Sequence, residues 1–173
     1  MAEIMTEPVS SQAFRAAMSQ LGAPVVVVTT DGPEGRHGLT VSAVCSVSDT
    51  PPTLLVCLNR ANRSYPAFVG NRVLGFNILG EGDQALATAF ANSRLRSEER
   101  FAHGAWHRAV TGAPLLDRAV ASLDCTVEAV HISGTHDVLL CHVRAIRQGA
   151  EESDALTWFD RRFHALPRTR AVE

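Results

Sequence analysis

Lysine is missing from this chain of 173 residues; all 16 basic positions are arginine. A lysine Schiff base and a lysine-bearing phosphate loop are thereby excluded. Any phosphate must be held by arginine, hydroxyls or backbone N–H groups. Long hydrophobic runs are also absent. The longest, Pro24–Val28 and Thr53–Leu58, fall far short of the ~20 residues a membrane span needs. A net charge of −2 gives no electrostatic reason to expect nucleic acid. The opening MAEIMTEPVSS carries acids and no apolar core, so it does not read as a secretory signal. No two of Cys45, Cys57, Cys125 and Cys141 have CxxC spacing, and they are expected to be buried small hydrophobes in a reduced cytoplasm. No GxSxG elbow is present for a serine hydrolase, and no internal repeat or low-complexity stretch appears.

What is present is 46% hydrophobic content, enough for one globular domain with a real core. Residues 1–10 and 168–173 read as flexible tails around a domain at 11–167. Ser11 is expected to cap a helix Gln12–Leu21, which lays Phe14, Met18 and Leu21 on the core. Strands are predicted over Val25–Thr30, Gly38–Val47, Thr53–Asn59 and Val73–Leu79. Two long ones follow over Ala121–Ile132 and Asp137–Gln148, then a short one at Leu156–Phe159. Short helices fit Ser64–Gly70 and Asp83–Ala91, and Ser93–Phe101 reads as a loop with a helical turn. Strands joined by turns, without crossover helices, predict a mainly β, antiparallel barrel of six or seven strands with peripheral helices.

Gly80-Glu81-Gly82-Asp83-Gln84-Ala85 imitates a dinucleotide fingerprint, GxGxxA. Glu81 and Asp83 would set acid beside a pyrophosphate, and polar Asn92–Glu99 stands where a second parallel strand is required. A helix start with Asp83 as cap is the better reading. His131, His136 and His142 lack the carboxylate or cysteine that would complete a metal site, and none is expected.

The stretch Gly38–Ser64 carries the most chemistry. Alternation places Thr40, Ser42, Val44, Ser46 and Ser48 on one face. That face reads either as a platform for a planar ring or as a plain half-buried strand. Asp49-Thr50-Pro51-Pro52 makes a rigid corner. Leu54–Leu58 is apolar throughout and is expected to be covered on both faces. Asn59-Arg60-Ala61-Asn62-Arg63-Ser64 then offers charge, amides and a hydroxyl ahead of a short helix, which suits a phosphate cradle or a solvated turn. His136 sits in a tight turn between strands. Trp158-Phe159-Asp160-Arg161-Arg162-Phe163-His164 either seals the barrel or, through Trp158, Arg161 and His164, faces a ligand.

These segments, together with Cys57-Leu58-Asn59, Glu99-Arg100-Phe101 and Gly134-Thr135-His136-Asp137, resemble in order the short-chain flavin reductases. These are the reductase partners of two-component flavin monooxygenases, among them that of 4-hydroxyphenylacetate 3-monooxygenase. The resemblance runs from about Phe14 to Leu166. It implies an antiparallel Greek-key FMN-binding split barrel, a homodimer, and reduction of FAD or FMN by NADH (NADPH being the other nicotinamide donor). The reduced flavin then diffuses to a separate monooxygenase component. Carried onto this chain, it puts Thr40, Ser42, Ala43, Cys57, Leu58, Asn59 and Arg60 along the isoalloxazine and ribityl chain. Asn62 and Ser64 fall on the phosphate, and Arg100 and Phe101 on the outer part of the flavin. His136 and Arg161, with Trp158, fall on the nicotinamide side. Where the family uses lysine for phosphate, only arginine is available here. The rival readings are a pyridoxine-phosphate oxidase-like enzyme on the same barrel, which needs a second basic cluster, and a flavin carrier without reductase activity.

Overall fold

The computed structural model describes residues 8–149 and 153–169; most of both expected tails lies outside that range. In chain order the elements begin with α1 (Ser11–Met18), β1 (Ala23–Pro24), β2 (Val26–Thr30), β3 (His37–Val41), β4 (Val44–Asp49) and β5 (Pro52–Asn59). Then come α2 (Tyr65–Asn71), β6 (Val73–Ile78), a 3-10 turn Glu81–Asp83, α3 (Gln84–Ala91) and α4 (Ser97–Phe101). The chain continues through β7 (Trp106–Arg108), β8 (Pro114–Leu116), β9 (Ala121–Ser133), β10 (His136–Gln148), β11 (Ala155–Phe159) and β12 (Arg162–Leu166).

Seven strands form one antiparallel sheet in the order β3-β2-β6-β9-β10-β5-β4. Its edge strands, β3 and β4, are consecutive in sequence and joined only by Ser42 and Ala43. The sheet therefore curls until its edges approach without pairing, which is a split barrel. The sequence expected one strand over Gly38–Val47; the chain instead leaves one edge at Val41 and enters the other at Val44. The alternating face Thr40 to Ser48 is consequently not one surface.

The run Val25–Val28 is apolar because both of its faces are buried. Val26 and Val28 point into the barrel with Leu39, Val56, Leu58, Phe68, Leu74 and Leu139. Val25 and Val27 point the other way, into a second core with Leu79, Leu86, Phe90, Leu116 and Leu156. Burial of each valine contributes roughly 1.5–3 kcal/mol. β5 differs: Leu54, Val56 and Leu58 are buried, but Leu55 and Cys57 are only half-buried, so this strand is not covered on both faces.

Three expectations are corrected. Ser10, not Ser11, caps α1, accepting from the Ala13 N–H at 3.1 Å, and the helix stops at Met18. Its apolar side is not on the core: Phe14, Met18 and Leu21 are 60%, 47% and 60% exposed. Of the four cysteines only Cys125 and Cys141 are buried, while Cys45 is exposed.

Strands β1, β7 and β8 have no counterpart in the sequence reading, and β12 carries Phe163 from the segment read as sealing the barrel. β1 adds Ala23 and Pro24 to the β11–β12 hairpin. That hairpin turns by placing Asp160 and Arg161 in the left-handed region, at φ 46° and 60°. β8 is anchored by Asn77, whose Oδ1 accepts from the Leu116 N–H at 2.7 Å. At Gly80–Asp83 the Asp83 carboxylate accepts from the Gly80 N–H and pairs with Arg118. A buried carboxylate thus occupies the turn where a dinucleotide fold would admit a pyrophosphate, and Asp83 closes the 3-10 turn without capping α3.

Candidate functional site

The seam Ser42–Ala43 joins two groups of candidate residues. On one side, Thr40 and Ser42 line a cavity of about 180 Å³ with Val25, Val41, Ala91, Trp158 and Phe163. Trp158 packs edge-on against Phe163, with ring centroids 4.9 Å apart. The Thr40 hydroxyl is committed to α3, donating to the Ala87 carbonyl at 2.6 Å. On the other side, the Ala43 carbonyl accepts from the Cys57 N–H at 2.9 Å. Cys57 lies two residues before Asn59, and Asn59 pairs with His136 across β5 and β10.

The turn after β5 is fixed by its own amides. Asn59 Oδ1 accepts from the Ala61 N–H and Asn62 Oδ1 from the Ser64 N–H, both at 2.9 Å. With the oxygens so occupied, the side-chain NH2 groups are the ends left to meet an anion. The β9–β10 turn is tied to this one: the Arg60 N–H donates to the Thr135 carbonyl at 3.0 Å and Arg60 Nη1 to the Gly134 carbonyl at 3.4 Å. Beneath them, buried Asp137 accepts from the Tyr65 hydroxyl, and Arg60 Nε lies 3.9 Å from its other oxygen. That hydrogen bond to a carboxylate, with burial behind it, raises the Tyr65 pKa. His136 is exposed, its Nδ1 2.9 Å from the Thr135 hydroxyl.

Arg100 defines the second part of the site. It is 4% exposed and has no carboxylate partner among the described residues. Its guanidinium donates to the Gly38 and Asn92 carbonyls at 2.8 and 2.9 Å, and to Ser64 Oγ at 3.4 Å, while Nε has no partner. Burial first, and then the neighbouring Arg63 charge, hold its pKa below the usual arginine value. It lines a cavity of about 400 Å³ with Arg36, His37, Arg63, Ser64, Arg96 and Ser97, where Glu98 is the acid. Of the three further arginines, Arg36 pairs with Asp31 at 3.4 Å and Arg96 with Glu99 at 3.3 Å, so the buried Arg100 and neighbouring Arg63 carry the charge that an anion would complete. This is an anion pocket, and it lies at the His37 end of β3 whereas the aromatic cavity lies at the Ser42 end. The nearest lining residues, His37 and Thr40, are three positions apart on the strand, about 10 Å at 3.3 Å per residue.

His37 senses this field. Burial first, then Arg100 and Arg63, lower its pKa from 6.5, while Glu98 opposes them. The folded state therefore resists His37 protonation, and stability falls as pH drops through the unfolded value near 6.5 and below. Thermal melts from pH 8 to 5 should show the wild type losing more on acidification than His37→Gln. Parallel curves would refute this role.

Among the other candidates, the Leu58 side chain belongs to the barrel core at 1% exposure, so only its backbone is available. Phe101 is 5% exposed and packed between Phe90 and Trp106. Arg161 sits exposed at the tip of the β11–β12 hairpin, apart from the cavity that Trp158 lines. Sequence reading missed Arg36, His37 and Arg96, while Arg63 lay within the expected cradle Asn59–Ser64. Their signal was the missing lysine, which made every arginine near Ser64 and Arg100 a phosphate candidate.

A curled sheet with an aromatic cavity at its seam and an arginine-lined pocket along the adjoining edge strand defines a split-barrel protein with two neighbouring cavities, one walled by aromatic rings and the other by arginines. The chain belongs to the flavin reductase like domain family, whose model matches residues 18–167. Its relatives include the FMN reductase (NADH) RutF of Cronobacter sakazakii, 55% identical over 157 residues, covering 91% of this chain and 93% of that protein. The FMN reductase (NADH) RutF of Escherichia coli O150:H5 is 50% identical over 160 residues, covering 92% and 96%. A Haemophilus somnus 129PT protein designated a flavin reductase superimposes with a TM-score of 0.88 at 43% identity, covering 91% of this chain and all of that one, 100%. BorF, the flavin reductase component of a bacterial two-component tryptophan halogenase, does so with a TM-score of 0.85 at 26% identity, covering 92% and 100%.

Proposed function

We propose that this protein is an NADH-dependent flavin reductase that acts on FMN or FAD and supplies reduced flavin to a separate monooxygenase in the cytoplasm. The observation that carries the reading is the buried, unpaired Arg100 at one end of β3, in line with the aromatic cavity at the other. A ring-plus-phosphate ligand suits that spacing, and relatives half identical to this chain bear the name FMN reductase (NADH).

The residues present fit a flavin. Bound there, it supplies the hydride acceptor and the nicotinamide the donor. The protein's own contribution is orientation, worth several kcal/mol. Arg100, Arg63 and Ser64 anchor the phosphate. The Ser42 and Ala43 N–H groups at the seam, which no backbone carbonyl of the described residues takes up, read the polar edges of the ring system beside the Cys57–Arg60 segment, and Trp158 walls the seam cavity. His136, held over the Asn59–Arg60 turn by the Gly134 and Thr135 carbonyl contacts, positions the nicotinamide.

Oxidation of NADH followed by absorbance with added FMN, and then FAD, tests the activity, with NADPH alongside. A flavin carrier would bind flavin and leave the absorbance unchanged. His136→Ala should raise the NADH KM about tenfold with FMN affinity unchanged; equal loss of both would reject the nicotinamide assignment.

A homodimer is part of this proposal. On the outer face of the sheet, Leu55 pairs with Leu140 and Cys57 with Val138, and all four are half-buried. Such an apolar sheet face, next to candidate residues Cys57, Asn59 and His136, suits burial against a second copy. Sedimentation at micromolar concentration checks it.

A further inference from the structure

Beneath the turns that meet at Asn59 and His136 lies a buried carboxylate without an evident task. Asp137 pairs in register with Leu58, and strand alternation turns its side chain to the barrel side while His136 faces outward. It is 3% exposed, and its two oxygens are unequally satisfied. One accepts from the Tyr65 hydroxyl at the head of α2; the other has no hydrogen-bond partner among the described residues. A neutral asparagine would serve Tyr65 as well, because its amide oxygen accepts the same hydrogen bond. What asparagine lacks is charge, and a buried charge is costly unless something answers it. Among the described residues the one cation paired with Asp137 is Arg60, whose Nε lies 3.9 Å from the unpartnered oxygen.

Arg60 in turn holds the β9–β10 turn. Its backbone N–H donates to the Thr135 carbonyl at 3.0 Å and its Nη1 to the Gly134 carbonyl at 3.4 Å. Gly134 stands in the left-handed region at φ 59° and His136 follows two residues later, so the direction of the imidazole depends on how this turn is held. The Arg60 side chain is 49% exposed. A long side chain so placed gains rotamer freedom by swinging away, and the buried charge is what biases it inward.

We propose that Asp137 is a positioning residue for hydride transfer: its charge holds Arg60 on the β9–β10 turn and thereby aims His136 at the nicotinamide. The inference rests on the reductase reading above and deepens it, extending nicotinamide recognition from the exposed His136 to the buried acid behind it.

Steady-state NADH oxidation at saturating FMN tests it, with FMN titrated separately by fluorescence. Asp137→Asn keeps the Tyr65 hydrogen bond and removes the charge. It should raise the NADH KM about fivefold, with kcat and FMN affinity changed less than about twofold. Arg60→Met should raise the NADH KM by a similar factor, and the double variant should stay near fivefold and not reach the product, about 25-fold. Tyr65→Phe removes the other partner and leaves the charge on Arg60, so its NADH KM should stay within about twofold of the wild type. An Asp137→Asn variant with the wild-type NADH KM, whatever its melting temperature, would make the acid a structural residue only and overturn the inference. So would an equal loss of FMN affinity, multiplication of the two effects in the double variant, or a rise with Tyr65→Phe equal to that with Asp137→Asn. An unchanged KM in Arg60→Met would do the same, and that half-exposed position decides the matter even if Asp137→Asn fails to fold. A wild type that oxidises no NADH with either flavin would overturn the reductase reading itself, so the two failures are distinguishable.

Discussion

Arg100→Met should abolish most of the affinity for FMN while leaving that for riboflavin nearly intact. The methionine keeps the length and apolar stem of the side chain and removes its charge. Charge-assisted hydrogen bonds of the kind Arg100 would give a phosphate contribute about 2–3 kcal/mol, on the order of a 100-fold loss in affinity. Riboflavin has the same rings and ribityl chain without the phosphate, so a change confined to FMN isolates the anion pocket. The effect on the apo protein should be smaller. Leaving the Gly38 and Asn92 carbonyls without their donor is unfavourable, but relief of a buried charge that lacks a counter-ion offsets it. Saturating FMN stabilises the wild type by mass action. Melting curves with and without FMN should therefore show that gain in Tm nearly disappear in the variant. Equal weakening of FMN and riboflavin would mean that Arg100 supports the fold around the ring and does not hold the phosphate.

How far the sequence led can be judged at individual elements. Val25–Val28 and the long strands β9 and β10 were readable, because their β-branched runs are local patterns. The anticipated helix Ser64–Gly70 appears as α2, with Pro66 tolerated in its first turn. The break at Ser42–Ala43 was not readable, since nothing in Thr40–Ser48 interrupts the alternation; only closure of the sheet forces the chain across the seam. β7 and β8 were hidden for a similar reason. They are three residues each, paired with one another and tied to the barrel by Asn77, a contact 39 residues distant in sequence. At the site, motif resemblance led to Arg100, but its partners Arg36, His37 and Arg63 come from separate segments. Phe14, Met18 and Leu21 mark the limit of periodicity: it identified an amphipathic helix and could not say whether this chain covers it.

Asn77 carries the other large effect. It is fully buried on β6, where Nδ2 donates to the Val27 carbonyl at 3.0 Å and Oδ1 accepts from both the Leu116 N–H and Ser122 Oγ, at 2.7 and 3.0 Å. Asn77→Ala strands all three partners in a dry interior. At roughly 1–3 kcal/mol for an orphaned buried polar group, partly recovered by relaxation and by Ser122 Oγ turning to the Leu116 carbonyl, the net loss should be about 3–5 kcal/mol. That is a large share of the 5–15 kcal/mol typical of a domain, so urea unfolding should show a much lower midpoint with the slope little changed. The loss should also have a direction. Leu116 pairs with Trp106 across β8 and β7, so loosening β8 frees the Trp106 ring before it reaches the anion pocket. In urea too dilute to unfold the variant, tryptophan fluorescence should differ from the wild type while FMN affinity changes little. A stability loss below about 1 kcal/mol would mean that water satisfies these groups and that β8 is held by packing alone.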